Sequence, residues 1–227
     1  MRHKTQIYFI LILFLVAFSF DAVSLDIKVR RIYSINANST WNFEQDATDK
    51  LADGFEIAST KNSGNGNWTV IKDNGNNVFA QTDSKGGKYR FAMAVIDKSS
   101  VKNFNLSVKA KPITGEVDQT AGIVWRYIDP QNYYLLRSNA LENNVRIYRI
   151  VNGNRVKLAS KDEIRIKTNE WHTLKVEHIN THIKIYLNDF KLFDIEDRTF
   201  KNAGKIGLWI KADSITYFDD LVLEMLH

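Results

Sequence analysis

From Trp41 onward the hydrophobic positions fall in short alternating or apolar runs, and none carries the three-and-four spacing of an amphipathic helix. The runs are Trp41–Glu44, Phe55–Ala58, Trp68–Lys72, Val78–Gln81, Arg90–Ile96 and Asn105–Lys111, then a dense central group. After it come Val156–Ala159, Trp171–His178, Ile183–Asn188, Lys191–Phe193, Lys205–Lys211 and Ser214–Glu224. Gly, Asn and Asp separate them, as turns require. With only two prolines and no linker in between, the pattern predicts one all-β domain built as a β-sandwich rather than an α/β fold.

The central group, Asp118 to Val151, holds the densest set of aromatic and arginine residues and predicts three consecutive strands. Asp129-Pro-Gln-Asn132 has turn chemistry, because Pro130 fixes φ and removes a donor. If Ile128 opposes Tyr133, Trp125, Tyr127, Tyr134 and Leu136 share one face of the hairpin. Val124, Arg126, Tyr133, Leu135, Arg137 and Asn139 then share the other. The third strand adds Arg146 and Tyr148 on one side, Ile147 and Arg149 on the other. Two further hairpins are legible, at Asn152-Gly153 and at Asn188-Asp189, where positive φ is needed. Trp171–His178 and His182–Leu187 pair across Ile179-Asn-Thr181.

The start of the chain reads differently. Arg2-His-Lys4 precedes an apolar run, Ile7 to Phe18, and the small residues Ala22-Val-Ser24. This is a signal peptide over 1–24, too short for a comfortable membrane span; an uncleaved anchor is the competing reading. Residues 25–40 are expected to be an N-terminal extension and 41–227 the domain. Cleavage after Ser24 lowers the net charge from +5 to about +4 and leaves no membrane span. With no cysteine, an exported domain has no disulfide scaffold and depends on its core. The abundance of Asn, Lys and Ile reads as bacterial, so the expected compartment is the periplasm or the exterior. The longest basic run is Lys28-Val-Arg-Arg31, which excludes a nucleic-acid arm. Oligomeric state is left open.

Several motifs carry a resemblance. Trp171-His-Thr-Leu174, Ile183–Asn188, Lys205-Ile-Gly-Leu-Trp209 and Tyr217-Phe-Asp-Asp220 resemble the second half of concanavalin A-like lectin/glucanase jelly rolls. Asp118–Tyr127, Asn132-Tyr-Tyr134, Arg137–Asn144 and Gly207–Ser214 are similar to exported bacterial domains of the laminin-G-like or 3-keto-disaccharide-hydrolase type. The resemblance implies a jelly-roll sandwich of two antiparallel sheets. It also implies that a structural calcium could join the first and last strands, with Glu44, Asp46, Asp219 and Asp220 as ligands. It does not fix an activity, because this architecture serves lectins, glycosidases, lyases and adhesion domains.

Catalytic signatures are sparse. The family 16 hydrolase pattern Glu-x-Asp-x-x-Glu is absent, as are a Gly-x-Ser-x-Gly elbow and any cysteine nucleophile. Asp118 and Glu142 are the candidate catalytic carboxylates. His178 and His182 are separated by a turn and do not form a metal pair. Glycan recognition fits the central group better, because sugar C–H faces pack on Trp and Tyr while Arg, Asn and Glu hold hydroxyls in bidentate fashion. The candidate contacts are Arg126, Tyr133, Arg137, Asn139, Glu142, Asn143 and Asn144, with Trp209, Lys211 and Asp213 from another strand. The expected function is an exported lectin-like domain, the arginines favouring an anionic glycan. A glycosidase or lyase, and a non-catalytic adhesion domain, are the alternatives.

Overall fold

A computed structural model describes residues 38–226. The expected leader, and residues 25–37 of the expected extension, lie outside them. The described residues form fifteen strands and one 3-10 turn, Thr60–Asn62. The strands are β1 (Ser39–Trp41), β2 (Phe55–Ser59), β3 (Trp68–Asp73), β4 (Asn76–Gln81), β5 (Phe91–Ile96), β6 (Phe104–Thr114), β7 (Thr120–Asp129) and β8 (Asn132–Asn139). They continue as β9 (Asn144–Val151), β10 (Asn154–Lys161), β11 (His172–Ile179), β12 (His182–Leu187), β13 (Phe190–Glu196), β14 (Lys205–Lys211) and β15 (Ile215–Met225). Among the described residues no helix is long and apolar enough to cross a membrane.

Two antiparallel sheets pack face to face as a jelly-roll sandwich. One runs β13-β12-β11-β6-β15-β4-β3, with β1 added alongside β15; the other runs β10-β9-β8-β7-β14-β5-β2. The expected turns shape the hairpins. Asn152 and Gly153 have φ of 50° and 71°, and Asn188 and Asp189 have 47° and 67°, the left-handed pairs that let strands with right-handed twist close in two residues. Asn74-Gly75 does the same between β3 and β4.

Alternate residues of both sheets fill the space between them. At one end Phe43, Phe55, Phe79, Trp68 and Phe218 pack with ring centres 5.0–6.1 Å apart. At the other, Trp125 stacks on Tyr134 at 5.4 Å and Phe200 meets Tyr134 edge-on at 4.9 Å. Each fully buried ring of this kind contributes about 1.5–3 kcal/mol, so this core does the work that disulfides do in smaller, cysteine-rich domains.

One local departure redirects the central hairpin. β7 pairs with β8 as Trp125↔Tyr134 and again as Asp129↔Asn132, so a bulge lies between them. Arg126 sits in it with φ of 44°. Trp125, Tyr134 and Leu136 share one face as expected, and it is the core face. Trp125 rather than Tyr127 opposes Tyr134, however, two residues away from the register that sets Ile128 against Tyr133, and the bulge exchanges the next two side chains. Tyr127 joins the outer face, and Arg126 turns inward.

Candidate functional site

The seven-stranded sheet is curled. Strands lie ~4.8 Å apart, so β5 and β10, five steps from one another in this sheet, would stand ~24 Å apart if it were flat. Instead the Arg155 guanidinium of β10 lies 5.5 Å from the ring centre of Phe91 in β5. Lys61, just beyond β2, donates to Asn154 at 3.1 Å across the same gap. The outer face is therefore a concave groove.

Its floor is a second apolar cluster, separate from the inter-sheet core: Met93, Val95, Val124, Leu135, Ile150 and Trp209, flanked by Tyr127, Tyr133 and Tyr148. The 3-10 turn roofs one end. Thr60 and Tyr133 share a hydroxyl hydrogen bond of 2.6 Å, and Lys61 and Asn62 hold left-handed φ of 54° and 52°. Burial pushes the Tyr133 phenol up to about 12, so it remains neutral. Gly153 passes beneath the roof, where a Cβ would come within 2.6 Å of the Lys61 stem. Between roof and floor, beside Trp209 and Phe91, a cavity of about 20 Å³ remains, room for a single water.

The other end is polar. The registers align Met93, Trp209, Gly122, Arg137 and Arg146 in one row across five strands. Arg137 is 2% exposed and donates to Glu142 at 2.7 Å and to Asn144 at 2.5 Å. Arg146 lies 3.4 Å from the same Glu142 carboxylate and 3.3 Å from Asp162. Beside them Asn139 donates to Asp118 at 2.7 Å, and Lys211 pairs with the other oxygen of Asp118. One donor in the row, Arg137 Nε, is buried without a hydrogen-bond partner, and the Trp209 indole is directed at the Tyr133 hydroxyl. Lys61, Arg137, Arg146, Arg155 and Lys211 outnumber Asp118, Glu142 and Asp162, which makes the groove cationic.

The structure thus brings Tyr133, Arg137, Asn139, Glu142, Asn144, Trp209 and Lys211 onto one face. Three expected contacts are engaged elsewhere. Arg126 is the clear correction: it points inward, 1% exposed, and donates to the carbonyls of Phe200, Lys102 and Asn180, tying three loops together. Asp213 accepts the backbone amides of Glu116, Val117 and Asp118 at 2.6–3.1 Å and anchors the β6–β7 loop. Asn143 accepts from Ile164 and Ile166 and anchors the loop after β10.

The candidate catalytic carboxylates are held as ions or locked in pairs. Burial acts to raise the Glu142 carboxyl, but hydrogen bonds from Arg137 and Asn144 and the charges of Arg137 and Arg146 outweigh it and hold it at about 2. A carboxylate at that value is neither a proton donor nor a useful base near neutrality. Asp118 is 1% exposed beneath Lys211.

The four expected calcium ligands do not fit a calcium ion. Glu44 accepts from Asn77 N, Asp46 from Asp53 N, Asp219 from Asn76 and Asp220 N, and Asp220 pairs with Lys109 at 2.8 Å. Among the described residues no three His, Cys, Asp or Glu converge on a metal position. His178 is buried, its Nδ1 accepting from Trp125 Nε1 at 2.9 Å, and His182 is paired with Glu196.

Thr60, Lys61, Phe91, Tyr148 and Arg155 also line the groove and were not among the residues expected from sequence. Tyr148 and Arg146 were legible as sharing a strand face. Nothing in Ser59-Thr-Lys61 signals a roof, because its position depends on how far the sheet curls.

The fold recurs in solved structures. Carbohydrate-binding module CBM66 from Bacillus subtilis superposes with a TM-score of 0.58 at 21% identity, covering 74% of this chain and 94% of that one. Domain 4 of the extracellular arabinanase AbnA from Geobacillus stearothermophilus, solved with arabinotriose, gives 0.55 at 15% identity over 82% and 91%. A Bacteroides ovatus mixed-linkage glucan GH16 protein, solved with its product, gives 0.60 at 10% identity over 82% and 99%. At these identities the likeness is one of fold. No match is found among curated protein sequences. A family model does match residues 39–224, nearly the whole described domain, and the chain belongs to the 3-keto-alpha-glucoside-1,2-lyase-like domain family.

Proposed function

We propose that this domain binds a glycan along the concave face of the seven-stranded sheet, at the polar end of the groove, and that it works as an exported recognition module. The observation that carries the reading is the row Trp209–Gly122–Arg137. A buried guanidinium keeps a donor, Arg137 Nε, without a partner, with only a glycine between it and the Trp209 indole in the register. An unpaired buried donor costs about 1–3 kcal/mol, and a sugar oxygen that entered past the exposed Glu142 carboxylate would recover it. Glu142 and Asn144 hold the guanidinium in a fixed plane, which suits bidentate recognition. The cationic balance of the face favours an anionic glycan. A carbohydrate-binding module and an arabinotriose-bound domain among the structural neighbours, and the leader-like start, support the same reading.

Family membership favours a second reading, elimination on a 3-keto-glucoside. The ionised, paired state of Glu142 and the enclosure of Asp118 rank it behind recognition. The test is an array of neutral and anionic glycans probed with wild type and Arg137→Ala, beside a product assay on a 3-keto-α-glucoside. Saturable binding to one glycan class, lost in Arg137→Ala without a large change in melting temperature, is the expected result. Binding that is untouched by the substitution, or no binding at all, would overturn the assignment of this face. Product release would move the function to the lyase reading.

A further inference from the structure

The opposite sheet carries a bowl of its own. Its volume is about 290 Å³, near the lower end of the ~300–1,000 Å³ of small-ligand sites. It spans five neighbouring strands of the eight-stranded sheet, from Trp171 at the start of β11 through Lys109, Asp219, Asn76 and Val78 to Asp73 on β3. Alternation explains why these side chains meet on the outside: Val108, Phe79 and Phe218 point into the core, so Lys109, Val78 and Asp219 point out. Val78 is a small apolar floor between polar walls.

Trp171 distinguishes the bowl. It is 37% exposed, whereas Trp41, Trp68, Trp125 and Trp209 are at 4% or less. Its ring is nevertheless fixed in place, with Lys111 Nζ 5.6 Å from its centre and also 5.9 Å from that of Tyr217. The polar groups are fixed as well. Lys111 pairs with Asp73 at 2.9 Å, and Asn76 donates to Asp219 at 2.9 Å. Lys109 is neutralised by Asp220. Both ammonium groups are thus committed to carboxylates, and no cation is left over to attract an anion. What remains is an open indole face beside carboxylate and amide oxygens in set positions.

We propose that this bowl is a second carbohydrate subsite, on the outer face of the eight-stranded sheet, that takes a neutral sugar residue with its C–H face on Trp171 and its hydroxyls on Asp73, Asn76 and Asp219. Stacking on the indole supplies the apolar contact, and carboxylates accept hydroxyl protons in charge-assisted hydrogen bonds. The site is independent of the concave groove and differs from it in ligand charge.

Tryptophan emission reads this directly, because Trp171 alone among the five tryptophans meets solvent. The protein is titrated with neutral gluco-, xylo-, arabino- and fructo-oligosaccharides while emission wavelength and acrylamide quenching are followed. A saturable blue shift with reduced quenching is expected from at least one series. The exposed Asn76→Ala should raise its Kd about tenfold or more, whereas Arg137→Ala should leave it unchanged. Calorimetry with Trp171→Ala, at an exposed position that does not threaten folding, should show the same binding lost. No shift across the panel would overturn the proposal. A shift lost in Arg137→Ala but kept in Asn76→Ala would also overturn it, by assigning the signal to the concave face.

Discussion

Arg126 offers the sharpest separation of binding from folding, because the face assigned to it by simple alternation is the wrong one. Three guanidinium hydrogen bonds reach the carbonyls of Phe200, Lys102 and Asn180. No carboxylate pairs with it among the described residues, and burial pulls its pKa down. Each bond from a charged donor contributes about 1.5–3 kcal/mol, or ~5–9 kcal/mol for the set. Against this stands the several kcal/mol needed to desolvate the charge. Arg126→Ala removes both terms and leaves the Phe200 carbonyl buried, while the other two are close enough to the surface to regain water. The net loss should be about 3 kcal/mol, or ~6–12 °C in Tm for a domain of this size. Arg126→Lys, which keeps the charge but not the fork, should fall between. Equilibrium unfolding in urea, alongside glycan affinity below the transition, measures both properties. A stability within ~0.5 kcal/mol of wild type, combined with lost affinity, would refute the inward clamp and return Arg126 to the binding surface.

Two predictions concern pH and have opposite signs. His178 is held neutral, first by burial and then by the Arg126 charge, with its pKa pulled down to about 3. The unfolded chain protonates near 6.5, so this contribution is complete above that value and declines as pH falls toward 3. By pH 4.5 the loss should reach about 3 kcal/mol. His178→Gln should flatten that part of the stability profile in urea titrations from pH 7 to 4.5, and a profile parallel to wild type would count against the mechanism. Asp219 is raised to about 6, first by burial, with the charges of Asp220 and Glu44 adding to it. The folded state therefore binds this proton more tightly, and stability falls as pH rises from about 4 through 6. Asp219→Asn should stabilise by up to ~3 kcal/mol at pH 8 and by nothing at pH 4, as read from melting curves at the two values.

Strand order along the chain was legible because the signals are local. Alternation, Asn-Gly pairs and Pro130 each act over a few residues, and every expected run from Phe55 onward lies within or overlaps a strand. Pairing between distant strands was not. Nothing in Ser39-Thr-Trp41 announces β15 as its partner, because that choice is made by the closing of the sandwich. The candidate site shows the same division. Tyr133, Leu135 and Arg137 kept their common face because regular pairing preserves parity. Arg126 and Tyr127 lost theirs to a bulge that follows no composition rule. The roof over Tyr133 depends on curvature accumulated across seven strands, a sum of small twists that no window of sequence contains.

The outer strands have a consequence for how copies of this domain meet one another. β10 ends the curled sheet with Arg155, Lys157 and Lys161 along it, and a register shift interrupts it between Lys157 and Ala159. β13 ends the other sheet with Lys191 and Asp194, and its pairing is likewise broken by a shift at Ile185/Tyr186. Charge and irregular spacing make both borders poor templates for another chain's backbone. A cysteine-free chain with fifteen strands among its described residues, refolding at high concentration among its own copies, would be exposed to edge-to-edge polymerisation at these borders. The lysines that look idle on β10 are the guard against it.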